Sequence, residues 1–270
     1  MKSWVVIDKE VGETPLQALE AYRAWAPGMQ DVKMAYAGRL DPMASGKLLI
    51  LIGDECKRQE QYHALDKTYE VEVLLRASSD TGDVLGLVRT CSMPHYDRRA
   101  LIKAVRSLRG PFTAPYPPFS SKTVNGKPLF MWALEDRLDE ITIPDQTGYI
   151  YSARIKQVTK RTGQEIHDGA MAKVRSLATV TEDTKALGAD FRRTAVSDSW
   201  RRFEHKYADE PFTVVTLTIT CSAGTYMRSV AAVLGNALGG CALAYSIHRS
   251  RIGEIFWLPF GLSVWRRTFT

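Results

Sequence analysis

Alternating runs and helical stripes take turns along this chain. Trp4-Val-Val-Ile7 is a short β-rich run, and Thr14-Pro15 then offers an N-cap and first-turn pair ahead of Leu16, Leu19 and Tyr22 at helical spacing. Leu48 to Ile52 is continuously apolar, as a strand buried on both faces would be. A polar helix is expected from Asp54 towards Tyr62, with Lys57 and Arg58 on its solvated face. Tyr69, Val71 and Val73 alternate with Glu70 and Glu72, which predicts a half-buried strand with Tyr69 at its head. A helix is expected over about Arg98–Leu108, a strand over Tyr149–Val158, and a strictly alternating strand over Phe212–Thr220. Cys221-Ser-Ala-Gly224 then turns into a helix carrying Val230, Leu234, Ala237 and Leu238, which Gly239-Gly240 ends. Ala244–Gly253 reads as a closing strand.

Two stretches depart from this rhythm. Gly110 to Phe130 is proline-rich and extended, with Tyr116, Phe119, Lys122 and Lys127 along it and Asn125-Gly126 marking a turn. Aromatics and lysines on a rigid track suit a nucleic-acid groove, through stacking and phosphate contacts. From 160 to 206 the chain is polar and helical, with Arg161, Lys173, Arg175, Lys185, Arg192, Arg193, Arg201 and Arg202. Phe191, Val196, Trp200 and Phe203 could form one apolar stripe there. This helical stretch is either an arm that grips a nucleic acid and projects from the body, or a hairpin that pads the core.

Composition narrows the class without fixing it. With 270 residues the chain can bury a sizeable core, and 45% hydrophobic and 24% charged residues are ordinary for a globular protein. A net charge of +6 is compatible with a phosphate-rich partner. No apolar stretch is long enough to span a bilayer, and the N-terminal run is too short for a signal peptide. Cys56, Cys91, Cys221 and Cys241 make no CxxC pair, and the five histidines are scattered. Neither a disulfide framework nor a zinc site is expected, no cofactor is implied, and the cytoplasm is the natural compartment.

The oddest use of charge lies at Gly38-Arg39-Leu40-Asp41-Pro42-Met-Ala-Ser-Gly46, where a lone carboxylate precedes the apolar run. Read locally, Asp41 is an N-cap with Pro42 at the first helical position. Arg228, in the first turn of its helix, opposes the helix dipole at a cost of about 0.3–1 kcal/mol, which a nearby anion would offset.

The pattern G-R-L-D-P-x-A-x-G-x-L resembles the catalytic loop of the TruB-type pseudouridine synthases. Asp8-Lys9 with Gly12 and Thr14, the turn Ser79-Asp80-Thr81-Gly82-Asp83-Val-Leu-Gly86, the Pro117–Phe130 segment, Cys221-Ser-Ala-Gly-Thr-Tyr226-Met-Arg228 and the closing strand around Ile247 resemble that family's other motifs in order. The resemblance implies an α/β (α+β) fold, a single domain over 1–270 with a mixed, largely antiparallel sheet, flanking helices and the 160–206 insertion. It implies Asp41 as the catalytic carboxylate, Arg228 as its partner, and Tyr69 stacking on the target base and helping to remove its C5 proton. Tyr226 and Ile247 would wall the pocket, while Arg39, Lys122 and Lys127 would bind substrate. The Asp80–Gly86 turn would be scaffold. The implied reaction turns uridine into pseudouridine without metal or cofactor, on a flipped-out base, with the T-loop uridine of tRNA as substrate and a monomer as the working form. Tyr36 stands where relatives commonly carry His, and the C-terminal RNA-binding PUA domain that many relatives carry is expected to be missing. The rival readings are an RNA-binding or RNA-folding protein on the same scaffold, and a glycoside hydrolase, which would need a second acidic partner.

Overall fold

The computed structural model describes residues 3–177, 192–257 and 263–269. In chain order the strands are β1 (Trp4–Lys9), β2 (Met34–Ala37), β3 (Ala44–Ile52), β4 (Asp66–Leu75), β5 (Ala77–Ser79), β6 (Val88–Thr90) and β7 (Gly110–Pro115). They continue with β8 (Thr123–Val124), β9 (Lys127–Pro128), β10 (Asp145–Thr162), β11 (Pro211–Cys221), β12 (Ala242–Trp257) and β13 (Ser263–Phe269). The helices are α1 (Pro15–Trp25), α2 (Gln59–His63), α3 (Arg98–Ser107), α4 (Leu129–Leu134), α5 (Gly163–Ser176), α6 (Arg193–Tyr207) and α7 (Met227–Ala237).

Nine strands form one sheet, ordered β1-β3-β12-β4-β11-β10-β7, with β2 added beside β3 and β13 beside β12. Every pairing in it is antiparallel except β3 with β12, where Ala44, Ser45 and Gly46 run parallel to Ile247, His248 and Arg249. This is the mixed, largely antiparallel sheet that the resemblance implies. Residues 48–52 of β3 are apolar throughout because they are covered on both sides. Leu48 and Ile50 pack with Ala18 and Leu19 of α1, while Leu49 and Leu51 pack with Tyr62 and Phe269.

Thr14 caps α1 through a reciprocal capping box with Gln17. Leu16, expected on the buried face, is 49% exposed instead, and Ala18 and Leu19 carry the contact. The polar helix expected at Asp54 forms as a 3₁₀ turn over Gly53–Arg58 followed by α2. Lys57 and Arg58 there pair locally with Asp54 and Glu55 on the surface.

The helical segment expected over 160–206 packs down. β10 runs on to Thr162, so the helical part begins at Gly163, where Thr162 and Glu165 form a capping box. Ile166, Ala170, Met171 and Val174 of α5 join Val196, Trp200 and Phe203 of α6 in the main core. Phe203 meets Phe212 of β11 at 5.0 Å between ring centroids. The described parts of this segment are therefore core padding, not a projecting arm. Lys185 and Phe191 lie outside the described residues.

Cys91 and Cys241, 150 residues apart, form a disulfide, against the sequence expectation. Spacing rules look for close pairs, whereas this pair is brought together by the fold. Cys56 and Cys221 are buried free thiols.

Candidate active site

The Asp41 loop is a turn, not a helix start. The Asp41 carbonyl accepts from the Ala44 amide at 2.9 Å and the chain passes straight into β3. The Pro42 carbonyl is tied to the Gly12 amide at 2.8 Å. Gly46 has φ +104, and any Cβ there would collide with the Arg249 backbone, so the parallel contact of β3 with β12 requires glycine.

The floor of the loop is cationic and fully internal. Arg249 is 0% exposed and donates to the carbonyls of Lys47 (2.7 Å), Arg39 (3.0 Å) and Gly38 (3.2 Å). Buried Lys9 donates to the Glu10 and Glu13 carbonyls at 2.7 and 2.8 Å. Buried Lys67 donates to the carbonyls of His63 and Leu65. Burial pulls both lysines down to about 8. These three cations hold backbone oxygens, and all their charge lies beneath the loop that carries Asp41.

Arg228 sits at the start of α7 and is 4% exposed. Its Nε lies 2.8 Å from Asp41 Oδ2, and its Nη2 donates to Asp41 Oδ1 at 3.3 Å. The cation that opposed its helix dipole thus has its anion. The Asp41 side chain keeps 34% of its surface open. On the other side Asp83 Oδ2 is 3.7 Å from the same Nε. Asp83 is buried, accepts from the Thr81 hydroxyl at 2.7 Å and the Leu85 amide at 2.9 Å, and burial pushes it up to about 6. Nη1 of Arg228 donates to the Thr81 carbonyl at 2.9 Å and to the Phe119 carbonyl at 3.2 Å. The planar guanidinium is thereby held by hydrogen bonds from Nη1 and Nη2, while Nε lies between the two carboxylates as an ion-pair contact without a hydrogen bond.

These groups line a cavity of about 720 Å³. Strand register explains its walls. Ile247 stands between Ala44 and Val71, and Arg249 stands between Gly46 and Tyr69, so one row of the sheet carries loop, clamp and tyrosine. Burial pushes the Tyr69 hydroxyl up to about 12. Tyr226 caps α7, its amide donates to Gln146, and its ring meets Tyr116 edge-on at 5.4 Å. Arg39, Tyr69, Tyr226, Ile247, Asp41 and Arg228 all face the cavity, and so does Tyr36.

Lys122 and Lys127 do not line the cavity. Lys122 lies over Tyr116 at 5.4 Å, while Lys127 lies over Trp132 at 4.3 Å and pairs with Glu135. Both belong to the flank of the proline-rich arm. Sequence reasoning missed Asp83, whose turn was taken for scaffold, and Arg249. Arg249 follows Ile247 by two residues on one strand, so the period of two was a usable signal for it.

A family model described as "TruB family pseudouridylate synthase (N terminal domain)" matches residues 27–172. The chain belongs to the TruB family. It is 26% identical over 93% of its length to the tRNA pseudouridine synthase B of Cupriavidus metallidurans, covering 62% of that protein. Against the protein of the same name from Azoarcus sp. the figures are 27%, 93% and 64%. The chain thus spans less than two thirds of these TruB relatives. Among solved structures it superposes on a chain of a Cbf5-Nop10-Gar1 complex with a TM-score of 0.55 and 14% identity, over 93% of this chain and 48% of that one, a likeness of fold.

Proposed function

We propose that this TruB-family chain isomerises uridine to pseudouridine in RNA, that its substrate is the T-loop uridine of tRNA, and that Asp41 is the catalytic carboxylate. The observation that carries this reading is the half-open carboxylate of Asp41, held in place by the buried Arg228 at the rim of a cavity sized for a nucleoside. The names of its relatives support the RNA class and the tRNA substrate.

In the reaction the N1–C1′ bond breaks, the base turns, C5 bonds to C1′, and the proton leaving C5 is balanced by one gained at N1. Asp41 acts on the ribose or the base, with Arg228 fixing its orientation. The uridine must leave its stack to reach the cavity, and loop nucleotides are easiest to flip. Tyr69 stacks on the extruded base. With its hydroxyl pushed up to about 12 it is protonated at neutral pH, which suits a platform and hydrogen-bond donor better than a resident base. Tyr226 and Ile247 wall the pocket, while Arg39, Lys122 and Lys127 serve the RNA backbone. The working form is a monomer in the cytoplasm.

Pseudouridine mapping on a T-arm stem-loop and on total tRNA, with wild type and Asp41→Asn, tests the proposal. A T-loop modification that the substitution abolishes is expected. Asp41-dependent modification at another uridine would overturn the substrate and keep the chemistry. Tight RNA binding with no modification by wild type would turn the reading to an RNA-binding or RNA-folding protein.

A further inference from the structure

The 160–206 segment was the part of the sequence least like the family motifs, yet its described end reaches the cavity. Arg192 caps α6 in a left-handed conformation, φ +51, which turns its side chain away from the helix course. Its Nη1 lies 2.6 Å from Asp80 Oδ2, and its guanidinium lies 4.1 Å from the centre of the Phe119 ring. Asp80 and Phe119 come from two separate segments. Asp80 precedes Thr81, and the carbonyls of Thr81 and Phe119 are the two that receive Nη1 of Arg228.

We propose that Arg192 is a positioning residue for the reaction: it ties the Asp80–Asp83 turn to the Phe119 segment and so holds the two carbonyls that aim Arg228 at Asp41. α6 is anchored for this task. Trp200 Nε1 donates to the Val84 carbonyl at 2.9 Å, the Val88 amide donates to Ser199 at 3.2 Å, and Thr90 meets the Tyr207 hydroxyl at 2.8 Å. The helix thus runs along residues 84–90 and presents Arg192 at the end nearest the site. Asp80 is fixed in turn, its Oδ1 accepting from the Leu87 amide at 2.8 Å. Among the described residues, the hydrogen bonds of Arg228 Nη1 are the ones that join the Phe119 carbonyl to the turn. The inserted helices are then a brace for the catalytic pair as well as padding for the core.

The inference rests on Asp41 as the catalytic carboxylate. The experiment is single-turnover pseudouridine formation on a T-arm stem-loop at saturating RNA, with wild type, Asp41→Asn, Arg192→Gly and Arg192→Lys, beside RNA Kd values. Arg192→Gly deletes the side chain and matches the positive φ, so the backbone is not strained. We expect its rate to fall about tenfold or more, since small misplacements near a reacting centre carry large rate penalties. Its Kd should stay unchanged, and Arg192→Lys, which can still pair with Asp80, should recover part of the rate. A wild-type rate in Arg192→Gly overturns the proposal, and so does a loss confined to Kd, which would make Arg192 an RNA contact. If wild type forms no pseudouridine, or Asp41→Asn keeps forming it, the catalytic reading itself has failed. The positioning claim is then decided by NMR of the Arg228 Nε–H in protein with labelled arginine. A signal that is sharp and protected in wild type and broadened in Arg192→Gly supports it, and identical signals overturn it.

Discussion

Two segments face each other across the cavity and are held by opposite means. The Asp41 loop rests on buried cations: Arg249 alone fastens three of its carbonyls, and Gly46 lets β12 come within backbone contact. The proline-rich arm, residues 117–140, has two strands of two residues each, one short α-helix and one 3₁₀ turn. Its charges meet on the surface, Lys127 and Arg137 over Trp132 and against Glu135 and Glu140. Chemistry needs one geometry, which buried bonds to backbone secure. Gripping an RNA needs a surface that can adjust, and exposed ion pairs of small net worth allow that.

The comparison breaks most plainly at Asp41. Asp41→Asn should lower the rate of pseudouridine formation by about 10⁴-fold, as removal of a central catalytic group does, whereas no single arm substitution should do so; a rate assay on one RNA decides. Next comes stability. Arg249→Met leaves three carbonyls without their charged donor and should destabilise the fold by about 3–5 kcal/mol in urea unfolding. Lys127→Met should stay within about 1 kcal/mol. Equal losses would erase the distinction between the two segments.

Acid should act with opposite sign on the turn that backs Arg228 and on the arm. Burial raises Asp83 to about 6 from its ordinary 3.8. The folded state therefore holds this proton more tightly than the unfolded chain, and the contribution of Asp83 to stability falls as pH rises from about 4 to about 6, by at most about 3 kcal/mol. Glu135 and Glu140 are held below the usual range, first by hydrogen bonds from Lys127 and Arg137 respectively. Their contribution is present above the ordinary carboxylate range and fades as pH falls. Denaturation of wild type against Asp83→Asn, and against Glu135→Gln, at pH 4 and pH 7 should show differences of opposite direction. The smallest effect belongs to single phosphate contacts. Lys122→Ala should weaken RNA binding a few-fold at low salt and reduce the salt slope by about 1; an unchanged slope would remove Lys122 from the RNA path.

What the sequence made legible follows the same division. Asp41 stood out because a lone carboxylate interrupts an apolar context, and Arg228 because a cation at a helix start calls for an anion. Alternation placed Tyr69 at the head of a strand, while its role and that of Ile247 came from the family resemblance. Asp83 did not show itself, because a polar turn on the surface and a polar turn folded over a buried arginine have the same local pattern. Arg249 was hidden by the habit of reading strand charges as solvated. Arg192 and the Cys91–Cys241 pair depend on which distant elements meet, and no local period records that. Leu16 fitted a helical stripe and still faces outward, since the stripe is wider than the partner that covers it.

The Cys91–Cys241 bond also divides the chain into a closed ring and its tails. Arg228, Arg192 and the whole arm lie within the ring, while Asp41 and Tyr69 lie outside it. A single proteolytic cut at the exposed Asn125-Gly126 turn would leave one species on a non-reducing gel. Added reductant would resolve it into two fragments, one bearing the carboxylate of the catalytic pair and the other its arginine.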